Sequence, residues 1–288
     1  MARSGGAGES LQAAHTMGVG LLNMPHGPAK RSLHPLFETL QAAGRGALAL
    51  DYDGTLAPFR DDRMQAVPYP GVREVLGRIL AAGRTRVVLI SGRRAEEVRA
   101  LLGIVPVPEI WGVHGRQRLW PDGRCEIEPL QASEEQALSE AAAWVENSAC
   151  RAQAEFKPGS LALHWRGLPE EEIARTSRTM RAALQPIAER AHMSLLAFDG
   201  GIELRSREPN KGSAARALLA ELTHPTPFAY LGDDTTDEDA FLALRGTGAL
   251  SVLVRPEPRE TAAEVWIRPP EELLEFLDRW AEHSGERR

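Results

Sequence analysis

Short apolar runs alternate with segments of helical spacing along much of this chain, and the runs stop abruptly at turn residues. Residues 46–50 read as the first buried strand, being short, apolar and followed at once by Asp51-Tyr52-Asp53-Gly54. Leu36, Leu40 and Ala43 before it suit a short helix. Residues 72–82 place Val72, Val75, Leu76, Ile79 and Leu80 at helical spacing and end at Gly83. A second strand over 86–90 closes on Ser91-Gly92, a helix follows over 96–102, and Gly112-Val113-His114-Gly115 terminates a third strand. Apolar strands alternating with helices predict a parallel sheet covered on both faces.

The pattern changes between about residues 119 and 205. Runs at 118–120 and 124–128 flank Pro121-Asp122-Gly123, a hairpin signal. An Ala/Glu-rich helix is expected over 133–149, with Ser133 and Gln136 as a capping box. Strands at 152–157 and 160–166 are joined by Pro158-Gly159, a helix spans 169–191, and strands at 194–198 and 202–205 are joined by Asp199-Gly200-Gly201. Helix, hairpin, helix, hairpin is an α+β pattern, expected to form a small domain inserted into the first. The α/β pattern returns with a helix over 211–222, a strand over 227–231 closed by Gly232-Asp233-Asp234, a helix from about Asp237, a strand over 250–254 and an amphipathic helix over 271–282. The predicted fold class is α/β: a Rossmann-like parallel-sheet core, 33–120 and 206–288, with an inserted α+β unit, 121–205. Residues 1–32 are Gly/Ala/Ser-rich and read as a disordered tail.

Composition narrows the function classes. The chain has 288 residues and a net charge of −6 with scattered basic residues, which argues against a nucleic-acid partner. No apolar run is long enough to span a bilayer, and the weak apolar patch at 18–24 carries Asn23 and is short for a signal-peptide core. No membrane partner and a cytoplasmic location are therefore expected. Cys125 and Cys150 have no histidine or cysteine at metal-ligand spacing, so zinc is not expected and structural thiols are the simpler reading. Nothing sets the oligomeric state, and a monomer is the default.

The chemistry lies at the ends of the core's elements. Asp51 and Asp53 are charges at the end of a buried strand, where unpaired carboxylates are costly. Ser91-Gly92-Arg93 and Gly232-Asp233-Asp234-Thr235-Thr236-Asp237 also follow strands, and Lys211-Gly212 opens a helix whose amides favour an anion. The crevice beyond the carboxyl ends of a parallel sheet is where ligands bind. Asp51, Asp53, Asp233, Asp234 and Asp237 together call for a hard cation, expected to be Mg²⁺. Ser91 and Lys211 suit phosphate oxygens. The set suggests phosphoryl transfer, with Asp51 as nucleophile and Asp53 as general acid, then base. Taken singly each motif has a plainer reading: an Asx-capped turn, Ser-Gly turn chemistry, a solvated lysine, or an acidic helix start.

Asp51-Tyr52-Asp53-Gly54-Thr55-Leu56, the serine, the lysine and Gly-Asp-Asp-x-x-Asp, in that order, resemble the haloacid dehalogenase-type phosphohydrolases over about residues 45–280. More narrowly, residues 232–241, Ser91-Gly92-Arg93, Glu155-Phe156-Lys157 with 160–166, and 201–205 followed by Asn210-Lys211-Gly212 are similar to the trehalose-6-phosphate phosphatases. The resemblance implies a Mg²⁺-dependent phosphatase acting on trehalose 6-phosphate through an aspartyl-phosphate, with the inserted unit as a cap. It implies Asp51, the Asp53 carbonyl and Asp233 as Mg²⁺ ligands, and Asp234 and Asp237 behind them or orienting Lys211. It further implies Thr55, Ser91, Gly92 and Lys211 at the phosphate, and Arg93, His114, Glu155, Lys157, Arg166 and Glu203 at the sugar. Val113 stands where that family usually has Glu. Another sugar phosphate as substrate, a phosphomutase, and a non-catalytic sugar-phosphate sensor are the alternatives. A phospho-accepting receiver would be far shorter and would lack the cap.

Overall fold

The structure is a computed structural model describing residues 33–285 apart from 166, 199 and 224. The expected tail, 1–32, and Arg166 lie outside the described residues. In chain order the core begins with α1 (His34–Ala43), β1 (Gly46–Leu50), α2 (Val72–Ala82), β2 (Thr85–Ile90), α3 (Ala95–Leu102), β3 (Glu109–Gly112), β4 (Gln117–Leu119) and β5 (Cys125–Ile127). A second group follows: α4 (Ala132–Glu146), β6 (Ala154–Lys157), β7 (Ser160–His164), α5 (Glu170–Arg190), β8 (Ser194–Phe198) and β9 (Gly201–Arg205). The chain then returns through α6 (Lys211–Glu221), β10 (Phe228–Gly232), α7 (Glu238–Leu244), β11 (Leu250–Val254), β12 (Val265–Ile267) and α8 (Glu271–His283).

The larger sheet has eight strands in the order β12-β11-β10-β1-β2-β3-β4-β5. From β12 to β3 every pairing is parallel, whereas β4 and β5 are antiparallel. Strand alternation divides the core into two layers. Leu48 and Leu50 pack with α1, α2, α3 and α8 on one face, while the smaller Ala47 and Ala49 sit under Ala214 and Ala215 of α6 and Phe241 of α7 on the other. The chain leaves β1 toward β2 and β3 on one side and returns to β10, β11 and β12 on the other. Crossovers therefore diverge between β1 and β10, and their carboxyl ends open a crevice.

The smaller sheet is antiparallel, ordered β6-β7-β9-β8. Leu161, Leu163, Ile202 and Leu204 face α4 and α5 through Ala141, Val145, Met180 and Leu184. By the two-residue period of a strand, Glu155, Lys157, Ser160, Ala162, His164, Glu203 and Arg205 share the opposite face.

Three expectations are corrected. The hairpin strand β5, read from sequence as part of the inserted unit, extends the edge of the core sheet by pairing with β4. Its residues are exposed, so no apolar pattern assigned it to either sheet. Helix α4 starts at Ala132, not 133, and its box uses Glu134, whose carboxylate accepts from the Gln131 N–H at 3.0 Å. Ser133 then lies inside the first turn. Strand β7 ends at His164 rather than 166. The edge strand β12 was not anticipated, its three residues being too few for a period.

Trp280 of α8 anchors the layer beneath β1. It is fully buried, its Nε1–H donates to Thr85 Oγ1 at 3.1 Å, and a Cβ on Gly46 would lie 2.8 Å from its ring. Trp280→Ala should destabilise the protein by about 3–5 kcal/mol, read as a fall in the urea midpoint. Thr85→Val should cost about 1–3 kcal/mol by leaving the indole N–H unpaired. Midpoints unchanged in both variants would contradict this packing.

Candidate active site

Strand β1 delivers Asp51 to the crevice, its N–H donating to Leu231 O at 2.9 Å. The next turn has little freedom. Gly54 has φ +80°, and a Cβ there would lie 2.0 Å from Asp233 Oδ2, so only glycine lets this loop pass the end of β10. Asp233 is fixed from behind: Arg255 Nη1 donates to its carbonyl at 3.2 Å, and Arg259 Nη2 to that of Asp234 at 2.8 Å.

Lys211 opens α6, which is capped by the Asn210 side chain accepting from Ser213 N–H at 2.9 Å. Its buried ammonium donates to Asp51 Oδ1 at 2.7 Å and to Asp237 Oδ1 at 2.8 Å. Asp237, fully buried, also accepts from the Tyr230 hydroxyl at 2.6 Å and the Asp233 and Asp234 amides at 3.2 and 3.1 Å. Among the described residues Asp51 Oδ2 meets only a long contact from the Thr55 hydroxyl, 3.4 Å. Burial pushes the Asp51 carboxyl up to about 7, Lys211 opposing and Asp237 adding to the rise. Burial, with Asp51 and Asp237 nearby, also raises Asp233 well above the carboxylate range. Lys211 is instead raised, because its two carboxylate partners outweigh its burial.

Oxygens of Asp51, Asp233 and Asp237 lie within 4.8 Å of one another. Four donors already occupy Asp237, whereas Asp233 Oδ1 is buried with no partner among the described residues. An all-carboxylate set with excess negative charge and an orphaned buried oxygen fits a hard divalent cation such as Mg²⁺. Asp51 and Asp233 keep lone pairs for it.

Asp53 is held differently. Arg93 grips it as a fork, Nε at 2.6 Å from Oδ2 and Nη2 at 2.7 Å from Oδ1. Ser91 Oγ accepts from the Arg93 N–H at 3.1 Å and faces the same cavity. The Gly92 carbonyl accepts from Lys157 Nζ at 3.2 Å, and a Cβ on Gly92 would meet the His114 ring at 2.7 Å. Val113 and His114 both have positive φ, +50° and +57°. This is strained for a β-branched residue, and it is held by Val113 N–H to Arg93 O and His114 N–H to Ser91 O, both 2.8 Å. Val113 itself is buried and lines no part of the cavity. The carboxylate that meets His114 comes from Glu203, 3.0 Å from Nε2.

The cavity, about 510 Å³, lies between these core groups and the polar face of the smaller sheet. Glu203 accepts from Ser160 Oγ at 2.8 Å and pairs with Lys157 at 2.5 Å. Burial opposes its ionisation, but Lys157 and His114 hold it well below the usual carboxylate range. Burial and Arg205 carry the His114 pKa down to about 4 despite Glu203. His114 is thus neutral at neutral pH and donates from Nε2, while Nδ1 is buried without a partner among the described residues. Glu155 contacts His164 at 2.9 Å and pairs with Arg63. Its burial is outweighed by His164, Lys157 and Arg63, and its pKa falls to about 2.

Asp51, Asp53, Ser91, Gly92, Arg93, His114, Glu155, Lys157, Glu203, Lys211, Asp233 and Asp234 all line this cavity, whereas Thr55 and Asp237 lie buried behind it. Sequence reasoning missed Arg63, Gln153, His164 and Phe198 in the lining. His164 could have been found, since it alternates with Ala162 on the strand beside Glu155.

Comparison with known proteins follows the same lines. The trehalose-phosphatase family model matches residues 49–265. A trehalose 6-phosphate phosphatase of Zea mays is 32% identical, over 87% of this chain and 74% of the maize protein. A trehalose-phosphate phosphatase of Mycobacterium marinum is 30% identical, over 87% of this chain and 67% of its own length. The C-terminal domain of trehalose-6-phosphate phosphatase from C. albicans superimposes with a TM-score of 0.75, covering 90% of this chain and 99% of that domain; at 21% identity it speaks to the fold alone. The chain belongs to the trehalose-phosphatase family.

Proposed function

We propose that this protein hydrolyses trehalose 6-phosphate to trehalose and inorganic phosphate through an aspartyl-phosphate on Asp51, with Mg²⁺ as cofactor. One observation carries the reading: a single cavity of about 510 Å³ has Asp51 and Lys211 on one wall and Glu155, Lys157 and Glu203 on the other. Those walls suit a phosphate at one end and a polyhydroxylated body at the other. The maize relative is named a trehalose 6-phosphate phosphatase and the mycobacterial one a trehalose-phosphate phosphatase, which supports this reading.

In this mechanism Lys211 and the Ser91 hydroxyl hold phosphate oxygens. Asp51 attacks phosphorus, the bond to the sugar oxygen breaks, and Asp53 gives that oxygen a proton. Asp53 then takes a proton from water, which attacks phosphorus and releases Asp51 and inorganic phosphate. The Arg93 fork holds both Asp53 oxygens, so each transfer needs one oxygen to be yielded. Asp51, Asp233 and the Asp53 carbonyl would hold Mg²⁺, which offsets the repulsion between carboxylate and phosphate when bound. The smaller sheet acts as a cap that excludes bulk water. Sugar hydroxyls donating to Glu155 and Glu203 and accepting from Lys157 supply discrimination, because a ligand lacking them leaves a charge unpaired.

Phosphate release should be strong with trehalose 6-phosphate and Mg²⁺, and weak with glucose 6-phosphate or with chelator. Equal turnover of both sugars would contradict the substrate, and full activity in chelator the cofactor. Asp51→Asn should lower kcat by at least about a thousandfold in a folded protein; near-normal turnover would remove Asp51 as the nucleophile. In Glu155→Ala, KM for trehalose 6-phosphate should rise about tenfold or more, with a several-fold smaller loss on an aryl phosphate. Equal losses would make Glu155 structural.

Mg²⁺ affinity should depend on pH. Burial pushes the Asp51 carboxyl up to about 7 and raises Asp233 well above the carboxylate range, so protons compete with the cation at both residues, and less so as pH rises. Half-saturating Mg²⁺ should fall steeply between about pH 6 and about pH 8. Half-saturation that stays level or rises over that range would contradict an ionised, buried Asp51 at the cation.

A further inference from the structure

The cavity's sugar-facing wall is tied to the core by a residue that sequence analysis did not identify. Arg63 stands on a short 3₁₀ helix, Arg63–Gln65, in the loop that follows the Asp51 strand. Asp62 caps that helix, accepting from Met64 N–H at 2.9 Å and Gln65 Nε2 at 3.0 Å, so the Arg63 backbone is fixed. Its guanidinium lies between two carboxylates from different parts of the molecule. Nη2 meets Glu97 of core helix α3 at 2.6 Å, and Nη1 pairs with Glu155 of β6. Glu155 is gripped again by His164 Nε2 at 2.9 Å, and His164 packs edge-on against Phe198 with ring centroids 5.4 Å apart. Arg63, Glu155, His164 and Phe198 all line the cavity; Glu97 does not.

We propose that Arg63 is a specificity-determining positioning residue: it ties Glu155 to Glu97 and thereby fixes the distance from the sugar-reading face to Asp51. The inference rests on the trehalose 6-phosphate reading. A planar guanidinium engages two carboxylates through separate nitrogens held in one rigid plane, whereas an ammonium is a compact point charge on a flexible stem. Held by Arg63 and His164, Glu155 keeps lone pairs for a sugar hydroxyl. Released, it is a flexible, hydrated side chain that the substrate must order at its own expense in binding entropy. The loss therefore falls on KM for ligands long enough to reach Glu155, and spares a phosphate ester that occupies only the Asp51 end.

The test is steady-state kinetics on trehalose 6-phosphate and on p-nitrophenyl phosphate, with Mg²⁺ present. In Arg63→Met, the ratio of kcat/KM for the sugar phosphate to that for the aryl phosphate should fall at least about tenfold, chiefly through KM. Arg63→Lys should recover only part of the ratio. Glu97→Gln, outside the cavity, should lower it in the same direction by a smaller factor. In a Glu155→Ala background, Arg63→Met should add little further loss, because both changes remove one interaction. An unchanged ratio in Arg63→Met, equal losses on both substrates, or full additivity with Glu155→Ala would overturn the positioning role. Wild-type protein inert toward trehalose 6-phosphate but active on the aryl phosphate would instead overturn the substrate reading beneath it.

Discussion

One buried lysine makes the site possible. Lys211 reaches 2.7 Å from Asp51 and 2.8 Å from Asp237, all three being buried at or behind the floor of the cavity. Three carboxylates converge there within 4.8 Å, and desolvation and mutual repulsion raise Asp51 and Asp233 even with the lysine opposing. Removing one partner of a buried pair costs about 3–5 kcal/mol, because the other charge is left uncompensated. The topology places the lysine: α6 leads into β10, β10 lies beside β1, and the diverging crossovers leave room at their carboxyl ends. The lysine does not fully balance the charge. Asp237 spends its oxygens on four donors, while Asp51 Oδ2 and Asp233 Oδ1 are left underused, and that remainder is what a cation and a phosphate would engage.

The second constraint is the join between the two sheets. Ionic and polar contacts cross the cavity from core to smaller sheet: Arg63 to Glu155, Lys157 to the Gly92 carbonyl, His114 to Glu203. Each involves a residue on the single polar face of an antiparallel sheet whose other face is apolar. Ion pairs and hydrogen bonds hold the side chains of that face in place.

Much of this was legible in the sequence where local rules are strong. Charges directly after a buried strand conflict with burial, and that conflict marked Asp51, Asp53 and Asp233. Alternation put Glu155 and Lys157 on one face. Where local signals fade, the reading failed. The exposed strand β5 carries no apolar pattern, so its attachment to the core edge follows only from its partner β4. Strand β12 is too short to show a period. Arg63 looks like an ordinary loop arginine, because its partners Glu97 and Glu155 meet it only after both sheets have formed. The Nδ1 of His114, unpartnered among the described residues, and the positive φ of Val113 are likewise tertiary facts.

The proposed division of labour between Asp51 and Asp53 is most directly tested by chemical trapping. Protein turning over trehalose 6-phosphate is quenched in acid, reduced with borohydride and digested, so that an acyl phosphate becomes a homoserine locatable by mass spectrometry. Homoserine at position 51, dependent on substrate and absent at position 53, is the expected result. Homoserine at 53, or none at either position during rapid turnover, would contradict Asp51 as the residue that takes the phosphoryl group.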